Sequence, residues 1–133
     1  MKKLVSLSFL ALTLTGISIA QGAASQPIEG SWGLQQAQGP LTFDTTFTIQ
    51  NNAVTITNVC TFEGHSATAR VSAPAQYDGA TLTVMGSADD NESRDGVNCN
   101  VSVKPDRMNY RVVGSRLILT HDGSLDQFVL QRR

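Results

Sequence analysis

Hydrophobic and polar residues alternate along almost the whole chain after residue 27. In the stretch LTFDTTFTIQ (41–50), the odd positions are mostly apolar and the even positions are polar. The same period of two recurs in the stretches 54–62, 65–73, 81–86, 97–104, 108–113, 116–121 and 126–132. Successive side chains of a strand point to opposite faces, so the alternation predicts strands with one dry face and one wet face.

Short breaks rich in turn-forming residues separate these predicted strands, for example at 51–52, 63–64, 95–96 and 114–115. Breaks this short favour antiparallel neighbours. With the segment around Trp32, the pattern gives eight or nine strands at spacings of about ten residues. Because closure removes the exposed edges of such a meander, we predict an all-β fold, a small antiparallel up-and-down β-barrel of about eight strands. A β-sandwich is the alternative, since strand signals rarely separate the two architectures.

The first twenty residues have the features of an export signal. Lys2 and Lys3 give a positive start, residues 4–19 are uncharged and mostly apolar, and Ser18-Ile19-Ala20 fits the site read by a signal peptidase. We predict cleavage after Ala20, with cleavage two to four residues later as an alternative. The predicted location of the mature protein is therefore the periplasm or the outside of the cell.

The predicted organisation has three parts: a signal peptide (1–20), a flexible N-terminal segment (21–27) and one barrel domain (28–133). Loss of the two leader lysines takes the formal charge from −1 to −3 and leaves Lys104 as the last lysine. A weakly acidic chain with scattered arginines lacks the basic surface that nucleic acid requires. The mature chain also contains no second apolar segment that would cross a membrane.

The chain contains two cysteines, Cys60 and Cys99. In an oxidising compartment they are expected to form a disulfide, and with only two cysteines the connectivity is forced. Closing a loop of about forty residues contributes roughly 4 kcal/mol in the chain-entropy model. A free reactive or metal-binding thiol is the alternative.

The only tryptophan, Trp32, lies in the stretch GSWG (30–33) at the start of the predicted domain. A large aromatic side chain there is suited to closing one end of a barrel, and its face suits a guanidinium group. The early Gly-x-Trp pattern, the strand meander and the arginines at the end of the last strand resemble the lipocalin-like (calycin) superfamily. That resemblance implies that Trp32 packs under a C-terminal arginine at the closed barrel end, a role that falls on Arg132.

Two weaker resemblances involve other small exported β-proteins. The stretch 109–133 is similar to the last hairpin of META-type bacterial secreted domains, with its glycine turn before a Leu-x-Leu pattern. The early Gly-x-Trp and the cysteine pair also resemble the periplasmic metalloprotease inhibitors, which are small eight-stranded barrels. The latter resemblance implies that residues 21–27, QGAASQP, form an inhibitory N-terminal segment.

Residues that would carry catalysis or bind a metal are sparse. The two histidines, His65 and His121, are predicted at a turn and at a strand end, and no nucleophile elbow or zinc motif occurs. The stretch ADDNESRDG (88–96) alternates oxygen-bearing side chains like a calcium loop, but Arg94 stands where such a loop needs glycine. We therefore predict a solvated hairpin loop at 88–96, no enzymatic activity, no metal and no cofactor.

The predicted inward positions include small residues such as Ala67, Ala69 and Ala73. Small residues leave room for one ligand inside an eight-stranded barrel, but they also suit a narrow, packed one. If a pocket exists, the aromatic residues expected to line it are Phe43, Phe47, Tyr77 and Tyr110. The sequence thus predicts an exported binding module for a small apolar or amphipathic ligand. A protein-binding module, such as an inhibitor of a secreted protease, is the alternative.

Overall fold

The computed structural model describes residues 27–121 and 123–133, which contain ten β-strands and no helix. In chain order the strands are β1 (Gly30–Gln38), β2 (Leu41–Gln50), β3 (Ala53–Phe62), β4 (His65–Tyr77), β5 (Thr81–Val84), β6 (Ala88–Arg94), β7 (Val97–Val103), β8 (Asp106–Val113), β9 (Arg116–His121) and β10 (Gln127–Arg132). The predicted signal peptide, its cleavage site and residues 21–26 lie outside the described residues, so these assignments stay predictions. No helix of the described segments is long and apolar enough to span a membrane.

Eight of the strands close into an antiparallel barrel in the order β9-β10-β1-β2-β3-β4-β5-β8. The predicted all-β barrel is confirmed, and the alternative of a β-sandwich is wrong. Neighbouring strands pair so that apolar residues meet on the inner face, and one such rung consists of Trp32, Phe47, Ile56 and Val71. The period of two read from the sequence therefore corresponds to inside and outside of a closed sheet.

Tight turns set this register where the sequence carries its polar breaks. Asn51 and Asn52 both have positive φ (53° and 57°), as do Glu63 and Gly64 (50° and 80°). Two consecutive residues with positive φ form the turn whose twist matches that of the flanking strands. Asparagine and glycine tolerate this conformation at little cost, which explains the choice of residue at Asn51, Asn52 and Gly64 but not at Glu63.

The closing seam between the last and the first strand is short. β10 pairs with β1 through two residue pairs only, Gln131 with Gly33 and Arg132 with Trp32. Phe128 shares the orientation of the buried Leu130, and the sequence predicts that it faces inward. Phe128 is nevertheless 49% exposed, because the pairing of β10 with β1 does not reach the part of β10 that contains Phe128.

The strands β6 and β7, which follow β5 and precede β8 in the chain, form a separate two-stranded sheet. The stretch 97–104 has the alternation of a barrel strand, but β7 pairs with β6 rather than with a barrel strand. The loop predicted at 88–96 is wrong in its conformation, because residues up to Arg94 form β6 and only Asp95 and Gly96 make the turn. The β6–β7 hairpin packs against β3 and β4, which extend beyond the barrel.

The molecule therefore has two apolar clusters. The larger fills the barrel around Trp32 and Leu117. The smaller lies between the hairpin and the extended strands and contains Cys60, Ala67, Ala69, Val97 and Cys99. Cys60 and Cys99 have Cα atoms 5.5 Å apart and sulfurs at bonding distance, which confirms the predicted disulfide. The small Ala67 and Ala69 side chains make room for the hairpin, which packs against them.

Candidate functional site

A cavity of about 290 Å³ lies inside the barrel, next to the connection between β7 and β8. Its wall is apolar and is built from Phe47, Ile49, Val54, Ile56, Leu82, Val84, Val103, Met108 and Leu119. Its rim consists of Pro105 and the polar side chains of Ser102, Lys104 and Asp106. A volume of this size corresponds to about ten water molecules, at the lower end of the range for small-molecule sites.

The position of the cavity follows from the inserted hairpin. β5 has only four residues, and it pairs with β8 only from Thr81 to Val84. Beyond Val84 the chain leaves the barrel wall, and it re-enters at Asp106. The wall is therefore interrupted at this point, and the base of the hairpin lies at the interruption. The aliphatic side chains from β2, β3, β5 and β9 leave the space beneath it unfilled.

The rim carries both signs of charge. The Asp106 carboxylate lies 3.2 Å from Nδ1 of His121, so it has a partner on the neighbouring strand. Lys104 is exposed and forms no ion pair within the described residues. An apolar chamber with a charged rim can bind a molecule that has a short hydrocarbon part and one polar end.

Of the four aromatic residues predicted to bind a ligand, the structure places Phe47 in the cavity wall. Phe43 instead packs against the cluster that holds the disulfide. Tyr77 and Tyr110 do not line the cavity. The Tyr77 hydroxyl bonds to Glu29 and to the amide of Asn52 in the β2–β3 turn, and the Tyr110 hydroxyl bonds to the amide of Gly79 in the β4–β5 turn. The structure thus brings only one of the four to this site.

The two tyrosine hydroxyls have structural partners. The Tyr77 hydroxyl donates to Oε2 of Glu29 at 2.5 Å, and the Tyr110 hydroxyl accepts from the Gly79 amide at 2.6 Å. Burial is the main cause that raises the pKa of each phenol above its ordinary value, and the Glu29 carboxylate raises that of Tyr77 further. Both phenols therefore stay neutral at physiological pH, and each holds a different turn, Tyr77 the β2–β3 turn and Tyr110 the β4–β5 turn.

Trp32 closes the end of the barrel opposite to the cavity rim, and its side chain is fully buried. Its indole Nε1 donates to the Ile28 carbonyl at 2.8 Å, and the guanidinium carbon of Arg132 lies 4.0 Å from the ring centroid. The same guanidinium donates to the carbonyls of Pro27 and Glu29 at 3.1 and 3.3 Å. We call the set of Trp32, Arg132 and their carbonyl partners the Trp–Arg clamp.

Two glycines make room for the terminal arginines. Gly30 has φ +133°, and a Cβ there would lie 2.8 Å from Nη1 of Arg132. A Cβ at Gly33 would overlap the side chain of Arg133, which crosses it to reach Asp44 at 2.6 Å. The glycines in GSWG therefore serve close approach of arginine side chains to the backbone.

The rim residues Lys104 and Asp106 are absent from the sequence-based site, and so is His121, which lies 3.2 Å from Asp106. Alternation identifies the faces of strands, but it does not identify which strand end lies beside a gap in the wall. The one available signal was that Lys104 is the last lysine of the chain and precedes Pro105 at a strand break.

A larger concave surface, of about 520 Å³, lies on the outside of β4, β5 and β8. It is lined mainly by polar side chains such as Gln76, Thr83 and Arg107. The carboxylate of Asp78 within it accepts hydrogen bonds from the amides of Ala80 and Thr81, which hold its pKa below the usual range. Because apolar walls provide most of the affinity for small molecules, the cavity inside the barrel is the better candidate site.

Comparison of the chain with protein-family models, curated proteins and solved structures gave no match. The part of the lipocalin-like resemblance that the structure supports is therefore the architecture, an eight-stranded antiparallel barrel. Among residues 27–121 and 123–133, no group of three or more His, Cys, Asp or Glu side chains could hold a metal ion.

Proposed function

We propose that this protein is an exported binding module that holds a small apolar or amphipathic molecule inside its β-barrel. The observation that carries this proposal is the apolar cavity of about 290 Å³ with its polar rim. The disulfide between Cys60 and Cys99 supports an oxidising compartment. Binding is favoured over catalysis because the cavity wall is built from hydrocarbon side chains, with charged groups only at its rim.

The size of the cavity sets the expected ligand and affinity. About ten non-hydrogen atoms fit in a space equal to about ten water molecules. Each buried methylene contributes about 0.8 kcal/mol, so an eight-carbon chain gains roughly 6 kcal/mol before the entropic cost of association. The expected dissociation constants therefore lie between high micromolar and millimolar.

The proposal is tested by titrating the folded protein with straight-chain 1-alkanols of increasing length while recording amide NMR shifts. Affinity should rise with chain length until the cavity is full, and the shifts should centre on residues that line it. Val103→Phe, which fills the cavity from a half-buried wall position, should abolish binding. Val129→Phe is the matched control, because Val129 is exposed on β10. Absence of saturable shifts with any alkanol would overturn the proposal.

A protein-binding module is the second candidate, and exposed apolar residues near the short seam favour it. Leu125 is 98% exposed, and Phe128 and Val129 are also exposed beside the part of β10 that lacks pairing with β1. Strand edges of this kind accept an extended polypeptide as an additional strand. If the partner is a secreted protease, titration should show inhibition that weakens in Phe128→Ser. A lack of inhibition across the major protease classes would remove this inhibitor hypothesis.

A further inference from the structure

We infer that the ligand carries an anionic head group, and that Lys104 at the rim of the cavity recognises it. The inference rests on the proposed function and makes it more specific. It assigns the hydrocarbon part of the ligand to the apolar wall and the charged end to the β7–β8 connection. The chemical class is a short amphipathic anion, such as a carboxylate with a chain of about eight carbons.

The placement of positive charge points to this class. Lys104 is the single lysine of residues 27–133 and lies at the rim of the apolar cavity. It is exposed and forms no ion pair within the described residues, so its ammonium is available to a ligand. A lysine can lay its hydrocarbon stem along an apolar ligand and keep its charge in water, which suits the edge of such a chamber.

The negative charge of the rim has a different environment. The Asp106 carboxylate lies 3.2 Å from Nδ1 of His121 on the adjacent strand. A cationic head group would therefore have to compete with His121 for Asp106. An anionic head group meets no such competitor at Lys104. The rim accordingly favours an anion over a cation.

The test compares octanoate with 1-octanol, which share a chain length but differ in charge, by isothermal titration or NMR at low ionic strength. Octanoate should bind about two- to fivefold more tightly than octanol, the range measured for exposed ion pairs. The preference should disappear in Lys104→Gln and shrink with added salt. Arg111→Gln is the matched control, because it removes one positive charge from the exposed outer side of β8 and should keep the preference.

The outcomes separate this inference from the proposed function. Saturable binding of octanol with no preference for octanoate would overturn the role of Lys104 and leave the binding function intact. An octanoate preference that survives Lys104→Gln would also overturn it, because the charge would then be recognised elsewhere. Failure of both ligands to bind would overturn the proposed function and the inference with it. A preference lost in Lys104→Gln and kept in Arg111→Gln would support both.

Discussion

The two ends of this barrel are closed by different physical means. At one end, the Trp–Arg clamp joins the beginning and the end of the domain through a buried indole, a stacked guanidinium and three carbonyl hydrogen bonds. At the other end, the β6–β7 hairpin is attached to β3 through a disulfide and a small cluster of alanine and valine. The first end depends on one large side chain, and the second on one covalent bond.

The difference shows how a small domain divides its stabilising interactions. A large aromatic residue in the barrel floor contacts several strands, so its loss should affect the whole fold. The hairpin has a smaller core, and polar side chains provide part of its attachment to the barrel strands. Asp90 accepts a hydrogen bond from the Arg70 amide at 2.8 Å, and Asn58 donates to the Asn100 carbonyl at 3.2 Å. A mutation in the hairpin should therefore detach the hairpin before it unfolds the barrel.

Trp32→Ala should have the largest effect on stability. Removing a fully buried tryptophan costs about 3–5 kcal/mol through lost burial and the cavity left behind. Urea denaturation followed by circular dichroism measures the loss. Leu125→Ala is the control, because its side chain is almost fully exposed and should change stability by less than about 0.5 kcal/mol. A similar small change for Trp32→Ala would show that the clamp does not hold the fold.

Replacing both cysteines, Cys60→Ala with Cys99→Ala, should come next. The expected loss is about 2–4 kcal/mol, because the unfolded chain is no longer constrained. Hydrogen exchange should show that amides of the β6–β7 hairpin lose protection before those of β1 to β3. Uniform loss of protection across the molecule would contradict the distinction between a global and a local closure.

Gly30→Ala should cost about 1–3 kcal/mol, since φ +133° is strained for a residue with a side chain. The added methyl would also lie 2.8 Å from Nη1 of Arg132. Gly39→Ala is the matched control, because Gly39 has φ +61° but no neighbouring atom within 4 Å of the added Cβ. Denaturation curves should show a larger loss at Gly30. Combining it with Arg132→Met in a double-mutant cycle measures the coupling between the two sites.

The smallest effect should appear in acid, at the attachment of the hairpin. The hydrogen bond from the Arg70 amide lowers the pKa of Asp90 in the folded state. Its stabilising contribution is therefore present above about pH 4, the unfolded value, and is lost as the pH falls through the folded pKa. Stability measured between pH 5 and 2.5 should fall less steeply in Asp90→Ala than in the native protein.

Glu92 provides the control for that measurement. Its hydrogen bond with Asp90 raises the pKa of Glu92, so its contribution has the opposite sign and is lost as the pH rises. Glu92→Gln should therefore leave the loss of stability at low pH in place. Identical pH profiles for the native protein and Asp90→Ala would contradict the role of Asp90.

Local sequence patterns were sufficient to predict the barrel. The alternation of LTFDTTFTIQ and its counterparts reflects the inner and outer faces directly, and the paired polar residues at 51–52 and 63–64 mark the turns. The pairing of Cys60 with Cys99 followed from their number and from the predicted compartment. These features could be predicted because each depends on neighbours in the sequence or on elimination of alternatives.

The candidate site could not be predicted in the same way. The stretch 97–104 alternates as a barrel strand does, yet β7 pairs with the neighbouring β6, and this hairpin leaves the barrel to pack against the distant strands β3 and β4. That departure interrupts the wall and creates the cavity. Its lining is mostly aliphatic, whereas the sequence-based prediction selected aromatic residues. Of those four, Phe47 alone has both the inward orientation and the right level in the barrel.

The clamp has a consequence for how the chain reaches its native state. Arg132 bonds to the Pro27 carbonyl across 105 positions of sequence, among the longest-range contacts a chain of this size can make. Closing so long a loop carries an entropic cost that no early partial structure repays, so folding should be slow and should end with this step. Until then the whole edge of β1 that faces β10 is open to pairing with another molecule, and its uncharged, glutamine-rich part beyond Gly33 has no β10 partner even afterwards. The most vulnerable moment of this protein is thus the interval between making its first strand and docking its last.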